Sequence, residues 1–518
     1  MRQLVADWVT RVEAGDFVAV VDDDGEHSAR WVLQQARALA PLFTDPASGR
    51  PRTVLVQADN SWRTVVATVA AGLSGAVLAL VNRHSTATEL RYAVDDVRPD
   101  AVLAEPSAWQ EWDVGTLLGA TASDSALDGW RLGATATTAG LDRWAGGCVI
   151  GMTSGSTGRP KGVVQTEEAF RYACGCTIDA NDLRPGDPIA AIVPLSSTAA
   201  FCFGVAMGLM LGGPVVTALR WRPEEMVARF AGQRVRWVMC VPTMALQLGR
   251  AAAELGAPGA LGSMTVGGGP MDPQTLHRAE TSLGTRILRV FGMSECLGHT
   301  TSRPDDPQAV RLATDGRPFP GTEVRGLDAE GRPAPLGVPG RAQVRGPSLF
   351  LGYAREGAVA AVELADDGFF ATGDVVVRND DGTISIVGRE KDVIIRGGRN
   401  IDVIEVESAV ASHPWVNQAC VVPLPDPELG ERIGVLVVPE PGRHVGLDEL
   451  LEHVRVRGLS KTKWPEFAFE VDALPQTTVG KLSRNAARDL AARLHVESSG
   501  PAAMSRVPRA SRVPAGPS

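Results

Sequence analysis

The chain has 518 residues, 44% of them hydrophobic and 21% charged, with a formal net charge of −9. That balance describes a soluble globular chain of several subdomains and argues against nucleic acid as the main partner. No run of about 20 apolar residues offers a membrane span, and the opening Met1-Arg2-Gln3-Leu4-Val5-Ala6-Asp7-Trp8 lacks the apolar core of a signal peptide. The seven cysteines are scattered and odd in number, which is unlike a disulfide framework. Their closest pair, Cys174-Gly175-Cys176, has no second pair to complete a zinc site. The expected location is a reducing cytoplasm.

Up to about residue 150, strand-like and helical patterns alternate. Arg52-Thr53-Val54-Leu55-Val56 reads as a buried strand, and Trp62 to Gly75 as an apolar helix. Val77-Leu78-Ala79-Leu80-Val81 is continuously apolar, as a strand covered on both faces should be. Asp100-Ala101-Val102-Leu103-Ala104 repeats that pattern after a helix that begins near Thr86. This is α/β layering. Further on, Trp237-Val238-Met239-Cys240-Val241-Pro242-Thr243 reads as a strand entering a turn, and Met264-Thr265-Val266-Gly267-Gly268-Gly269-Pro270 as a strand ending in glycines. Asp380-Asp381-Gly382 is a hairpin turn between strand-like runs. From about Glu497 the Ser/Pro/Ala/Arg tail has no apolar period and is expected to be disordered.

The stretch with most chemistry is Met152-Thr153-Ser154-Gly155-Ser156-Thr157-Gly158-Arg159-Pro160-Lys161-Gly162, which follows the apolar Cys148-Val149-Ile150. Its glycines let successive backbone N–H groups turn toward one anion, and its hydroxyls add donors. Lys161 adds a compact charge suited to phosphate oxygens. The loop is not a Walker A motif, because Gly162 and Val163 follow the lysine where Ser or Thr is needed. Lysine is scarce: five of the 51 basic residues are lysine, at 161, 391, 461, 463 and 481. In a chain that otherwise uses arginine, each marks a candidate position for a point charge on a flexible stem.

The loop resembles the signature of the adenylate-forming superfamily, which includes acyl- and aryl-CoA synthetases, luciferases and the adenylation domains of peptide synthetases. The resemblance extends over roughly residues 10 to 490. It implies an α/β fold with a large N-terminal domain of layered subdomains and a β-rich subdomain (1–388), a hinge (389–392), and a small mobile α+β C-terminal domain (393–496), followed by the tail (497–518). On this resemblance Thr153, Ser154, Gly155, Ser156, Thr157, Gly158 and Lys161 bind phosphate. Gly267, Gly268 and Gly269 lie against adenine, and Phe291-Gly292-Met293-Ser294-Glu295 matches the aromatic-Gly-x-Ser/Thr-Glu motif, with Glu295 the Mg²⁺ ligand. Asp374, in Thr372-Gly373-Asp374, accepts the ribose hydroxyls, and Arg389 lies beside it in the nucleotide site. Lys391 is the pivot, Gly397 and Gly398 line the thiol path, and Lys481, in Thr478-Val479-Gly480-Lys481, reaches the reacting carboxylate.

Several positions depart from the family pattern. Ser196 and Ser197 stand where an aromatic residue and histidine are usual, at the mouth of an acyl pocket that also includes Phe201 and Gly204. Arg399 replaces a usual Glu, Asp402-Val403 a usual Tyr-Pro, and Thr462, between Lys461 and Lys463, a usual Tyr. No acidic residue lies between Pro194 and Pro214 to pair with an α-ammonium group, so the expected acid is bulky and apolar, without an amino group. The resemblance implies an AMP-forming acyl-CoA synthetase using ATP, Mg²⁺ and coenzyme A. The alternatives are loading of a separate acyl-carrier protein, or retention of thioester formation from acyl-AMP alone. The expected partners are a small-molecule carboxylic acid and CoA or a carrier protein; the oligomeric state is open, a homodimer being one option.

Overall fold

A computed structural model of the chain describes residues 1–119, 122–136, 138–153, 159–269, 273–390, 392–397, 399–477 and 482–499. They form two compact units. The first comprises Met1–Gly268, Arg278–Val324 and Val344–Phe370; the second comprises Gly269–His277, Arg325–Gln343 and the chain from Ala371 onward.

The first unit holds two nine-stranded sheets with helices between successive parallel strands. In one, Thr53–Gln57 pairs in parallel with Val77–Val81 and Ala101–Ala104, and Val77–Val81 with Val149–Thr153. Every residue of Val77–Val81 is buried, as its unbroken apolar run predicts. The intervening helices start and stop where their ends are satisfied. Ser61 Oγ accepts from Arg63 N at the head of Trp62–Ser74, and Gly75 ends that helix at φ +76°. Thr86 and Glu89 form a reciprocal capping box on Ala87–Val97. In the second sheet Ile189–Ala191, Trp237–Cys240, Ser263–Val266 and Arg286–Met293 run parallel, and Cys296–Thr301 returns antiparallel. Beyond Ala191 the backbone is held by the Asn60 side chain, which donates to the Ala191 and Val193 carbonyls and accepts from Leu195 N.

The second unit carries two smaller sheets. One is four-stranded, and in it Phe370–Arg378 and Ile384–Arg389 form the expected hairpin, with Gly382 at φ +82°. The other is built on the long antiparallel pair Val416–Asp426 and Gly430–Pro439, with Val393–Arg396, Arg399–Asp402 and Phe467–Glu470 added. Ile394, Val406, Val410, Val421, Val435 and Leu450 form one of its cores. The last helix runs from Arg484 to Ser499; residues 500–518 lie outside the described residues. Among the described residues no helix is long and apolar enough to cross a membrane.

Candidate active site

The signature loop is carried on a hairpin. Val149–Thr153 pairs antiparallel with Lys161–Gln165, with Thr153 opposite Lys161, so the two predicted phosphate contacts close its base. Thr153 Oγ1 donates to the Lys161 carbonyl at 3.3 Å. Ser154, Gly155, Ser156, Thr157 and Gly158 lie outside the described residues. Arg159 anchors the returning leg: its guanidinium bonds Asp96 Oδ1 at 2.9 Å and lies 5.0 Å from the Tyr92 ring centroid. The residue after the lysine has to be small. A Cβ on Gly162 would sit 2.9 Å from Ile150 Cγ2 and 3.0 Å from Ala354 Cβ, closer than side chains tolerate.

Glu295 lies at the turn between strands Arg286–Met293 and Cys296–Thr301, half-buried. Its backbone oxygen accepts from Phe350 N at 2.8 Å, and its Oε1 accepts from Tyr353 Oη at 2.8 Å. Tyr353 also places its ring 5.1 Å from Lys161 Nζ. Burial, reinforced by the Glu295 charge, pushes the Tyr353 phenol far up, so it stays a neutral donor. The fully buried Gln165, at the far end of the hairpin strand, donates from Nε2 to Ser294 O at 2.8 Å. It joins the phosphate hairpin to the Phe291–Glu295 motif. Within that motif a Cβ on Gly292 would meet Gly298 N at 2.8 Å, and Phe291 packs edge-on against His299 at 4.6 Å. Burial lowers the His299 imidazole to about 4, keeping it neutral. Gly267 is pressed on Val290, with 2.5 Å between its virtual Cβ and Val290 Cγ1, and Gly268 takes φ +83°. Gly269 is exposed.

The predicted acyl residues divide by their contacts. Ser196 is buried and its Oγ accepts from Asn82 Nδ2 at 2.9 Å, whereas Ser197 is half-exposed. Phe201 is fully buried 5.9 Å from the Phe170 ring. A Cβ on Gly204 would lie 2.7 Å from Ala191 Cβ. Phe201–Ala206 forms a π-helical turn, a geometry frequent at functional sites. Asn60, which holds Leu195 N at 2.9 Å, follows Asp59. Burial raises the Asp59 carboxyl to about 6 against the opposing hydrogen bond from Ser61. The folded chain therefore binds this proton more tightly than the unfolded chain, so stability falls as pH rises from about 4 to about 6 and stays lower above. That rise costs up to about 3 kcal/mol. Asp59→Asn should therefore raise the thermal midpoint at pH 7.5 and change it little at pH 4; an equal shift at both values would contradict this origin.

In the second unit Asp374 is 3% exposed, and its Oδ1 pairs with Arg389 Nε at 3.0 Å, directly across the hairpin. Burial raises its carboxyl and Arg389 pulls it back. Gly397 sits at φ +55° in the turn between Val393–Arg396 and Arg399–Asp402, with its N–H on Leu429 O at 2.8 Å. Arg399 is exposed. Asp402, where the family pattern has tyrosine, caps helix Val403–Ala411 by accepting from Ile404 N at 2.7 Å. Lys391, Gly398 and Lys481 lie outside the described residues. The segments after Lys391 and Lys481 are tied together: Arg484 bonds Asp392 at 3.3 Å and the buried Glu407 at 2.9 Å. Tyr353, Gln165, Asn60 and Asn82 are the site residues that the sequence reading missed. Gln165 leaves a trace, as a polar residue ending the apolar run Val163-Val164.

The family model described as AMP-binding enzyme matches residues 7–354, and that described as AMP-binding enzyme C-terminal domain matches residues 405–481. A salicylyl-CoA synthase / salicylate adenylyltransferase of Streptomyces sp is 32% identical over 92% of this chain and 91% of its own length. A 2-hydroxy-7-methoxy-5-methyl-1-naphthoate–CoA ligase of Streptomyces carzinostaticus is 33% identical over 79% and 71%. The crystal structure of ATP-bound MatB from Rhodopseudomonas palustris superposes with a TM-score of 0.82 at 26% identity, covering 95% of this chain and 99% of that one. Family match and fold agree, and the chain belongs to the AMP-binding enzyme family of adenylate-forming ligases.

Proposed function

We propose that this chain activates an aromatic carboxylic acid with ATP and transfers the acyl group to the thiol of coenzyme A. The observation that carries the reading is the pairing across Tyr353: the loop cation Lys161 and the carboxylate of Glu295 lie against one side chain. On this reading one tyrosine side chain has a phosphate-binding charge against its ring and, at its hydroxyl, an oxygen ligand suited to a hard cation. Magnesium fits such a site, because it is commonly held by one or two carboxylates together with substrate phosphates and water. Glu295 would hold the ion, whose chemistry there is charge neutralisation of the phosphate oxygens.

A carboxylate is a poor electrophile because its oxygen is a bad leaving group. Its attack on the α-phosphorus of ATP breaks the bond to pyrophosphate and leaves an acyl-adenylate, which a thiol can then displace with release of AMP. The protein's contribution is positioning and charge compensation. Lys481 would bridge carboxylate and phosphate, the loop from Thr153 to Lys161 would hold the departing pyrophosphate, and Asp374 would take the ribose hydroxyls. The two curated relatives are named for 2-hydroxy aromatic acids. The Pro194–Pro214 segment, free of acidic residues, suits such a ring and not an amino acid. Transfer to a carrier protein is the second reading, favoured by the changes at Arg399 and Asp402 near the thiol path. A pyrophosphate-release screen over aromatic, alicyclic, long-chain and amino acids, with and without CoA, should give its strongest signal with 2-hydroxy aromatic acids. Amino acids turned over faster than aromatic acids would overturn the substrate class, and adenylation without any CoA thioester would select the carrier-protein reading.

A further inference from the structure

Tyr353 occupies a position that the proposed chemistry does not itself require. Its strand, Gly352–Arg355, pairs antiparallel with Lys161–Gln165, Tyr353 lying opposite Val163 and Ala354 opposite Gly162. Alternate residues of a strand share a face, so the ring meets Lys161 diagonally, 5.1 Å from Nζ. The hydroxyl at the ring's other end donates to Glu295 Oε1 at 2.8 Å. Glu295 is held twice by the same short segment, its backbone oxygen by Phe350 N and its carboxylate by Tyr353. The tyrosine is itself restrained, its ring packed edge-on to Phe350 at 5.0 Å. The result is a rigid spacer between a cation and an anion that come from separate sheets.

We infer that Tyr353 is a positioning residue that sets the site's metal affinity: its hydroxyl fixes one oxygen of Glu295 so that the carboxylate meets the divalent cation pre-oriented, while its ring independently orients Lys161 toward the phosphates. The inference rests on the reading of Glu295 and Lys161 given above. A hydrogen-bond partner behind a metal ligand is commonly worth about 10–100-fold in metal affinity. Removing the hydroxyl while keeping the ring should therefore separate the two functions.

The test uses the full chain with Mn²⁺ as a spectroscopic probe and a non-hydrolysable ATP analogue. Free Mn²⁺ is followed by electron paramagnetic resonance at saturating analogue, and analogue affinity is measured separately in chelator. Tyr353→Phe should weaken Mn²⁺ binding about tenfold or more and leave metal-free analogue affinity unchanged. Tyr353→Leu, which also removes the ring beneath Lys161, should weaken both, and Glu295→Gln should weaken Mn²⁺ binding. Wild-type Mn²⁺ affinity in Tyr353→Phe, with the loss confined to Glu295→Gln, would overturn the inference and leave the Glu295 reading standing. Equal losses of metal and metal-free analogue affinity in Tyr353→Phe would mark a merely structural residue and also overturn it. Wild-type Mn²⁺ affinity in Glu295→Gln would remove the reading on which the inference rests, and the inference with it.

Discussion

Lys481→Ala should lower acyl-adenylate formation from acid and ATP by about 10²–10³-fold, the usual loss when one preorganised donor to developing charge is removed. Thioester formation from supplied acyl-AMP and CoA should persist. The asymmetry follows from the chemistry. Only the first half-reaction brings a free carboxylate against a phosphate, two anions that need a cation between them, and in the second the pyrophosphate has already left. The described residues on either side of Lys481 are tied to their neighbours. Gln476 and Leu482 pair in an isolated bridge and Ser483 N donates to Pro475 O at 2.8 Å, closing the base of the segment. Arg484 then fixes the following helix to Asp392 and Glu407. Separate assays of pyrophosphate release and of thioester formation check the prediction, and loss of both half-reactions in Lys481→Ala would contradict this division of labour.

Asp374→Ala should weaken ATP binding by roughly 1.5–3 kcal/mol, the range for hydrogen bonds to a charged group. Asp374 is 3% exposed and its carboxylate pairs with Arg389 through Oδ1, which holds it in place for a ribose hydroxyl. Burial raises this carboxyl, so removing it relieves a desolvation cost and should not unfold the chain. Calorimetric titration with ATP is the measurement. Unchanged affinity for both ATP and acyl-AMP would remove Asp374 from the nucleotide site.

Local patterns carried the reading a long way. The apolar run Val77–Val81 predicted a strand buried on both faces, Thr86 a helix start, and Asp380-Asp381-Gly382 a hairpin, because each depends on residues adjacent in sequence. The family was equally legible where a whole motif sits in one stretch, as in Thr153–Lys161. What stayed hidden depends on pairing between distant strands. Nothing near Tyr353 announces that its strand lies beside Lys161–Gln165, or that its hydroxyl reaches Glu295. Ser196, read as an opening of the acyl pocket, is bonded to Asn82 through a contact between distant segments. The departure at Asp402 likewise gains a physical reason in the structure, where an aspartate caps the following helix and a tyrosine cannot.

Acid-dependent exchange of labelled pyrophosphate into ATP, without CoA, tests the central claim most directly, because it requires a reversible acyl-adenylate and nothing later. The wild-type chain should support exchange with an aromatic acid, show none without acid, and lose it in Lys481→Ala. A wild-type chain that exchanges no label with any acid, yet converts supplied acyl-AMP and CoA to thioester, would contradict adenylation and confine the protein to the second half-reaction.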